Sequence, residues 1–191
     1  MKTDVITVFS DGRQMEEALR QAEKVAEYKG LTHRSALHLR LLTEEMLGMM
    51  RSITGSAEGR FWIEEEKNLF QLHLKVETFV DFDQREKLLS ASSTGKNEAA
   101  RGIMGRIRTF FDPMDGLPAF SNITPDSMGT TMTWSMCAYQ ELIQIHMDQK
   151  MEGAAEAWDE LEKSVVSHVA DDVKVSINGR RVEMIIFKKM F

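Results

Sequence analysis

The stretch Phe61-Trp-Ile-Glu-Glu-Glu-Lys-Asn-Leu-Phe-Gln-Leu-His-Leu-Lys-Val-Glu77 decides the fold. Phe70, Leu72, Leu74 and Val76 alternate with Gln71, His73, Lys75 and Glu77, the period of two that puts one side of a strand in a core. The polar Lys67-Asn68 pair separates this run from Phe61-Trp62-Ile63, so the stretch reads as a β-hairpin with one buried face. Before it the period is helical. Thr32 is placed to cap a long helix whose Leu39, Leu42, Met46, Met49, Met50 and Ile53 share a stripe, and Thr54-Gly55 offers a left-handed exit. Earlier still, Val5 to Phe9 reads as a strand. Ser10 and Asp11 are N-cap residues for a helix carrying Met15, Ala18, Leu19, Ala22, Val25 and Ala26, which Lys29-Gly30 ends.

C-terminal to the hairpin, residues 82–90 suit a short helix and the polar run 91–98 a loop. Ile103, Ile107, Phe110 and Phe111 suit one side of a helix entered at Gly102, and the three prolines, Pro113, Pro118 and Pro125, make the following segment irregular. Thr131 to Met136 alternates as a strand with Met132, Trp134 and Met136 on one face. A charged helix is expected from Ala138, broken at Gly153, with a stripe at Trp158, Leu161, Val165 and Val169. The chain ends in a hairpin, with Val173, Val175 and Ile177, an Asn178-Gly179 turn, then Val182, Met184 and Ile186. This order predicts an α+β fold, a two-layer α/β sandwich with helices packed on one face of a mixed, mainly antiparallel sheet.

With 191 residues, 42% of them hydrophobic and 28% charged, the chain can bury one sizeable core, which excludes fibrous and disordered classes. The net charge of −6 argues against a nucleic-acid partner, which would require a broad positive field. No apolar run approaches the roughly 18 residues of a membrane span, so no membrane partner is expected, and the short apolar start predicts a cytoplasmic protein. The one cysteine, Cys137, rules out an intramolecular disulfide and a thiolate metal cluster, and reads as a small buried apolar residue. His33, His38, His73, His146 and His168 are scattered without metal-ligand spacing, so no metal site is expected. Met46, Met49 and Met50 fit a core stripe better than a partner groove.

Four segments in this order resemble the GHKL superfamily of histidine kinase-like ATPases, and among its members most resemble the anti-sigma serine kinases. Leu41-Leu-Thr-Glu-Glu-Met-Leu-Gly-Met-Met-Arg-Ser52 resembles the helix in which a glutamate precedes a magnesium-binding asparagine by four residues; Glu44 matches the glutamate and Gly48 replaces the asparagine. Leu74-Lys-Val-Glu-Thr-Phe-Val80 resembles the strand ending in Asp-x-Gly that reads adenine, with Thr78 in place of the aspartate. Arg101-Gly-Ile-Met-Gly-Arg-Ile107 resembles the Gly-x-x-Gly box at a phosphate-binding helix start, and Gly129-Thr-Thr-Met-Thr-Trp-Ser135 resembles the closing strand whose first threonine lies near the base.

The resemblance implies a GHKL-like domain over residues 1–137, and residues 138–191, on which it is silent, read as a C-terminal helix-plus-hairpin extension packed on the same domain. It implies ATP as ligand, Glu44 as the catalytic base that orients the nucleophile, and Gly102, Gly105, Thr130, Thr78, Lys96 and Arg101 around the nucleotide. Gly48 has no oxygen for magnesium and Thr78 no carboxylate for an exocyclic amine, which weighs against ordinary Mg-ATP chemistry and an active serine kinase or ATPase. Two functional expectations follow. One is a regulatory protein with an altered nucleotide site, resembling the anti-sigma kinases. The other is a non-catalytic pseudo-ATPase that acts on a regulatory protein partner by contact. The C-terminal hairpin can complete the sheet or form the edge of a homodimer.

Overall fold

The computed structural model describes residues 1–54, 58–77, 124–125, 131–178 and 180–191. Strand β1 (Ile6–Phe9) leads to helices α1 (Met15–Tyr28) and α2 (His33–Thr54), then the hairpin β2 (Glu58–Glu66) and β3 (Leu69–Glu77). After the short β4 (Thr124–Pro125) come β5 (Met132–Ser135), the helices α3 (Met136–Asp148), α4 (Ala154–Glu162) and α5 (Val165–Val169), and the hairpin β6 (Asp172–Asn178) and β7 (Arg181–Lys189). The short helix expected at 82–90, the loop at 91–98 and the helix entered at Gly102 lie outside the described residues.

The strands form one seven-stranded sheet in the order β1-β2-β3-β7-β6-β5-β4, and its neighbours pair antiparallel throughout. The α+β two-layer sandwich expected from the sequence is therefore present. The C-terminal hairpin does not sit at an edge: it stands in the middle, with β7 against β3 and β6 against β5. Residues before 138 and residues after it thus share a single sheet.

Register aligns the alternating apolar residues into rows. Phe61, Leu74, Met184, Val175 and Trp134 face one another across five strands, all buried. Ile63, Leu72, Ile186 and Val173 form the next row, also buried. Helix α2 lays Leu39, Leu42, Met46, Met49 and Met50 on this face, so the methionine cluster is core, as its spacing predicts. Gly59 of β2 lets α2 come close, since an added Cβ would stand 3.0 Å from Met50 Cε and 3.2 Å from Leu74 Cδ1. An ion pair between Glu23 and Arg40 joins α1 to α2.

Turn chemistry explains one hairpin and corrects a cap. Lys67 and Asn68 have φ of 51° and 66°, the double left-handed geometry of a type I′ turn. Ser10 and Asp11, by contrast, do not cap α1. The helix begins later, after Gln14 at φ 62° with no side-chain cap, because the Asp11 carboxylate is taken locally by the Arg13 backbone N–H at 3.0 Å and Arg13 Nε at 2.7 Å. The strand expected to reach Met136 ends at Ser135, whose hydroxyl accepts the Ala138 N–H at 3.3 Å and caps α3. Asp172 strengthens that junction from across the sheet by accepting the Ser135 hydroxyl at 3.1 Å and the Cys137 N–H at 3.0 Å. Met136 thereby becomes the buried first residue of α3, and Cys137, expected inside, is exposed.

At the far end of the β2–β3 hairpin, buried Glu65 accepts the Asn68 N–H at 3.0 Å and pairs with Lys29, which follows α1. These contacts, led by the Lys29 ammonium, hold its carboxyl below the usual glutamate value. A carboxylate with a depressed folded value stabilises the fold above its unfolded value near pH 4.3 and loses that contribution as pH falls through the folded one. Glu65→Gln should lower stability at pH 7 by about 1–2 kcal/mol, and denaturant melts should show the difference from wild type shrinking below pH ~4. Gly59→Val should cost about 1–3 kcal/mol by forcing Met50 and Leu74 aside, measurable in the same melts.

Candidate functional site

Helix α2 has two unlike sides. Its inner stripe is fixed by core packing and by Thr43, a buried residue whose hydroxyl donates to the Leu39 carbonyl at 2.9 Å. Its outer side carries Leu37 and Glu44, both exposed, Leu41 and Glu45, both half-buried, and Gly48, exposed. Glu44 and Gly48 stand one turn apart on that side, the spacing at which helix side chains are neighbours. The structure thus presents both matched positions of the resembled helix away from the core.

The two adjacent carboxylates differ. Burial pushes the Glu45 carboxyl above the usual glutamate value, and the charge of Glu44 adds to the effect. The resemblance puts the base at Glu44, and the structure sets Glu45 apart from it by burial. Nothing in the one-letter pattern separates them, because the distinction comes from how far each turns toward the packed side of the helix.

Gly48 and Leu47 of α2 border a cavity of about 150 Å³ shared with Phe9 at the end of β1 and with Ser10, Asp11 and Arg13 of the β1–α1 loop. A Cβ at Gly48 would meet nothing within 4 Å, so no close approach requires glycine there. Arg13 brings a cation to this cavity, but its guanidinium is paired with Asp11 and lies 4.2 Å from the Phe9 ring centroid, so the local field is largely neutralised. A larger cleft of about 770 Å³ lies on the other side of α1, between residues 1–6 and Arg20, Gln21, Lys24 and Tyr28. It mixes acids with bases and contains neither Glu44 nor Gly48.

Thr78, Lys96, Arg101, Gly102, Gly105 and Thr130 lie outside the described residues. Their chain neighbours Glu77 and Thr131 are placed. Glu77 pairs with Arg181 at one end of β3, Arg181 pairs with Asn178, and Asn178 Nδ2 donates to Thr131 Oγ1 at 3.0 Å. Glu77 and Thr131 therefore stand at one end of the sheet with β7 and β6 between them. Three strand spacings of about 4.8 Å separate their strands by roughly 14 Å.

Sequence reasoning missed one cluster. On the sheet face opposite the helices, His73 stacks on Trp62 with ring centroids 4.7 Å apart and planes 5° from parallel, between Glu64 and Glu183. Read singly, His73 is one more polar residue in an alternating strand, and its partners become visible after β2 and β7 are placed on either side of it. Among the described residues no group of three or more His, Cys, Asp or Glu is placed to hold a metal ion, and no helix is long and apolar enough to cross a membrane. No family model matches the chain, and no curated protein matches it.

The empty space around Gly48 gives a direct test of its role. Gly48→Ala should stabilise the protein by about 1 kcal/mol, the difference in helix propensity, because nothing obstructs the new methyl group. Thermal melts check this, and a loss of stability would mean that glycine serves a close contact.

Proposed function

We propose that the chain is a regulatory protein of histidine kinase-like ATPase ancestry that acts by protein–protein contact, with a degenerate nucleotide site. One observation favours this reading: the C-terminal hairpin stands inside the sheet between β3 and β5. In the resemblance, Thr78 and Thr130 flank one adenine. Here the strands next to them in sequence are roughly 14 Å apart, wider than a purine base. The residue changes agree, since Gly48 supplies no ligand for magnesium and Thr78 no carboxylate for an amine. A loss of two such polar contacts removes on the order of 2–5 kcal/mol apiece from a binding site.

A second reading, an ATP-binding protein with an altered site, draws on the half-buried Glu45 beside the cavity-lining Gly48. In that version Glu44 or Glu45 orients the attacking group and Gly102 and Gly105 hold phosphates, with Lys96 and Arg101 as nearby cations. Partner contact and phosphate transfer make opposite demands on the same chain, and calorimetry separates them. ATP, ADP and AMPPNP are titrated with and without magnesium into wild type and a Gly102→Val/Gly105→Val variant of confirmed folding. The contact reading expects no saturable heat at millimolar nucleotide. Saturable binding that the double variant loses would establish the altered nucleotide site instead, and Glu44→Ala and Glu45→Gln would then divide the role of base.

A further inference from the structure

The helix-covered face of the sheet is filled by apolar rows, but the opposite face buries a histidine. His73 is 7% exposed, and neither ring nitrogen has a hydrogen-bond partner. A buried polar group without a partner is costly, and a neutral imidazole in this position leaves both nitrogens unsatisfied. Two acceptors nevertheless flank the ring. Glu64 Oε2 stands 3.9 Å from Nε2 and Glu183 Oε1 3.9 Å from Nδ1, one carboxylate on each side. Trp62 covers the ring by parallel stacking, and the Lys2 ammonium lies 5.1 Å from the Trp62 ring centroid.

We propose that this face carries a proton-responsive clasp: uptake of one proton by His73 converts a stacked neutral imidazole into an imidazolium held between Glu64 and Glu183, tying β2 to β7 across β3. The two carboxylates are poised rather than free. Glu64 accepts the Trp62 indole N–H at 2.9 Å and pairs with Lys2 at 2.9 Å, while Glu183 pairs with Lys75 at 3.6 Å. Protonation therefore makes His73 compete with Lys2 and Lys75 for carboxylates already engaged, and the exchange of partners is the conformational event. Glu58, Arg60 and Glu66 of β2, Glu77 of β3, Arg181 and Lys189 of β7, and Asp172 and Lys174 of β6 alternate onto the same face, and none of them is among the groups that shift His73.

Burial is the largest influence on His73 and lowers its value from the ordinary 6.5, with Glu64 and Glu183 pulling it back up and Lys2 lowering it. The sign for stability follows. Between the folded and unfolded values the unfolded chain binds more protons, so stability declines as pH falls from 6.5 toward the folded midpoint and levels off below it. The clasp thus closes only below the ordinary histidine value and leaves the fold weaker than at neutral pH. A neutral buried histidine with no sensing role would show the same stability slope without the response of its neighbours.

The ring Cε1–H and Trp indole N–H resonances, followed from pH 8 to pH 5 in the full chain, test this. His73 is assigned by its loss in His73→Gln, or in His73→Phe, which keeps the stack, should the glutamine variant fail to fold. The expected result is a midpoint below 6.5 that falls further in Glu64→Gln and in Glu183→Gln, with the Trp62 indole shift following the same midpoint. In His73→Phe the indole shift should disappear and the decline of stability toward acid should flatten. A midpoint at or above 6.5, no titration by pH 5, insensitivity to both carboxylate substitutions, or a Trp62 signal that stays constant through the His73 transition would each overturn the proposal.

Discussion

Nine residue pairs between β3 and β7, from Leu69 with Lys189 to Glu77 with Arg181, join the first three strands to the C-terminal hairpin. Each flanking hairpin is local, with its strands joined by a short turn. The β3–β7 ladder is not, since more than a hundred residues intervene between its partners. Its entropy of closure is large and must be met by the apolar rows that it completes, in which Leu74 meets Met184 and Leu72 meets Ile186. Without that ladder the sheet would fall into two pieces, β1-β2-β3 and β7-β6-β5-β4, each with an open edge of unpaired backbone groups. With it, one continuous floor exists for α2 to lie on. A sheet joined by so distant a pairing is expected to fold slowly for its size.

How far the sequence discloses this follows from the range of each interaction. The β2–β3 hairpin is legible because its period of two and its Lys67-Asn68 turn are both local, and α2 is legible because its stripe repeats over many turns. The position of the C-terminal hairpin is not legible, because β7 is as apolar and as regular as an edge strand closing any sheet would be, and its partner is chosen by global fit. Small misreadings share that cause. Ser10 and Asp11 have the right chemistry for a cap, yet Arg13 sits close enough to take the Asp11 carboxylate first. Met136 continues the alternation of β5, but Ser135 and Asp172 together start a helix beneath it, and Asp172 arrives from 36 positions later in the chain. Cys137 is turned outward by the same event.

The candidate site divides along the same line. Glu44 and Gly48 stand where helical spacing puts them, on the outer side of α2. The difference between Glu44 and Glu45 is a matter of desolvation, and desolvation depends on what packs beside the helix rather than on which residues neighbour it in sequence. Charge at the β1–α1 loop shows the same dependence. An isolated arginine in a loop suggests an anion site, whereas Arg13 folded against Asp11 and Phe9 has its charge already answered.

The placement of the second hairpin also sets which strand ends are neighbours. A flat base gripped between the ends of two strands requires those ends to be close, and each intervening strand adds about 4.8 Å. Partner recognition makes no such demand, because a protein surface extends over many strands and tolerates their rearrangement so long as the core remains intact. With β6 and β7 between β3 and β5, the apolar rows run on across the sheet and form a wide floor beneath the helices, while β3 and β5 stand three strand spacings apart. The same strand order builds the opposite face: Glu183 comes from β7, so His73 has a carboxylate on both sides because β7 lies beside β3. One strand order thus sets both the separation of the β3 and β5 ends and the charged, titratable cluster in the middle of the sheet.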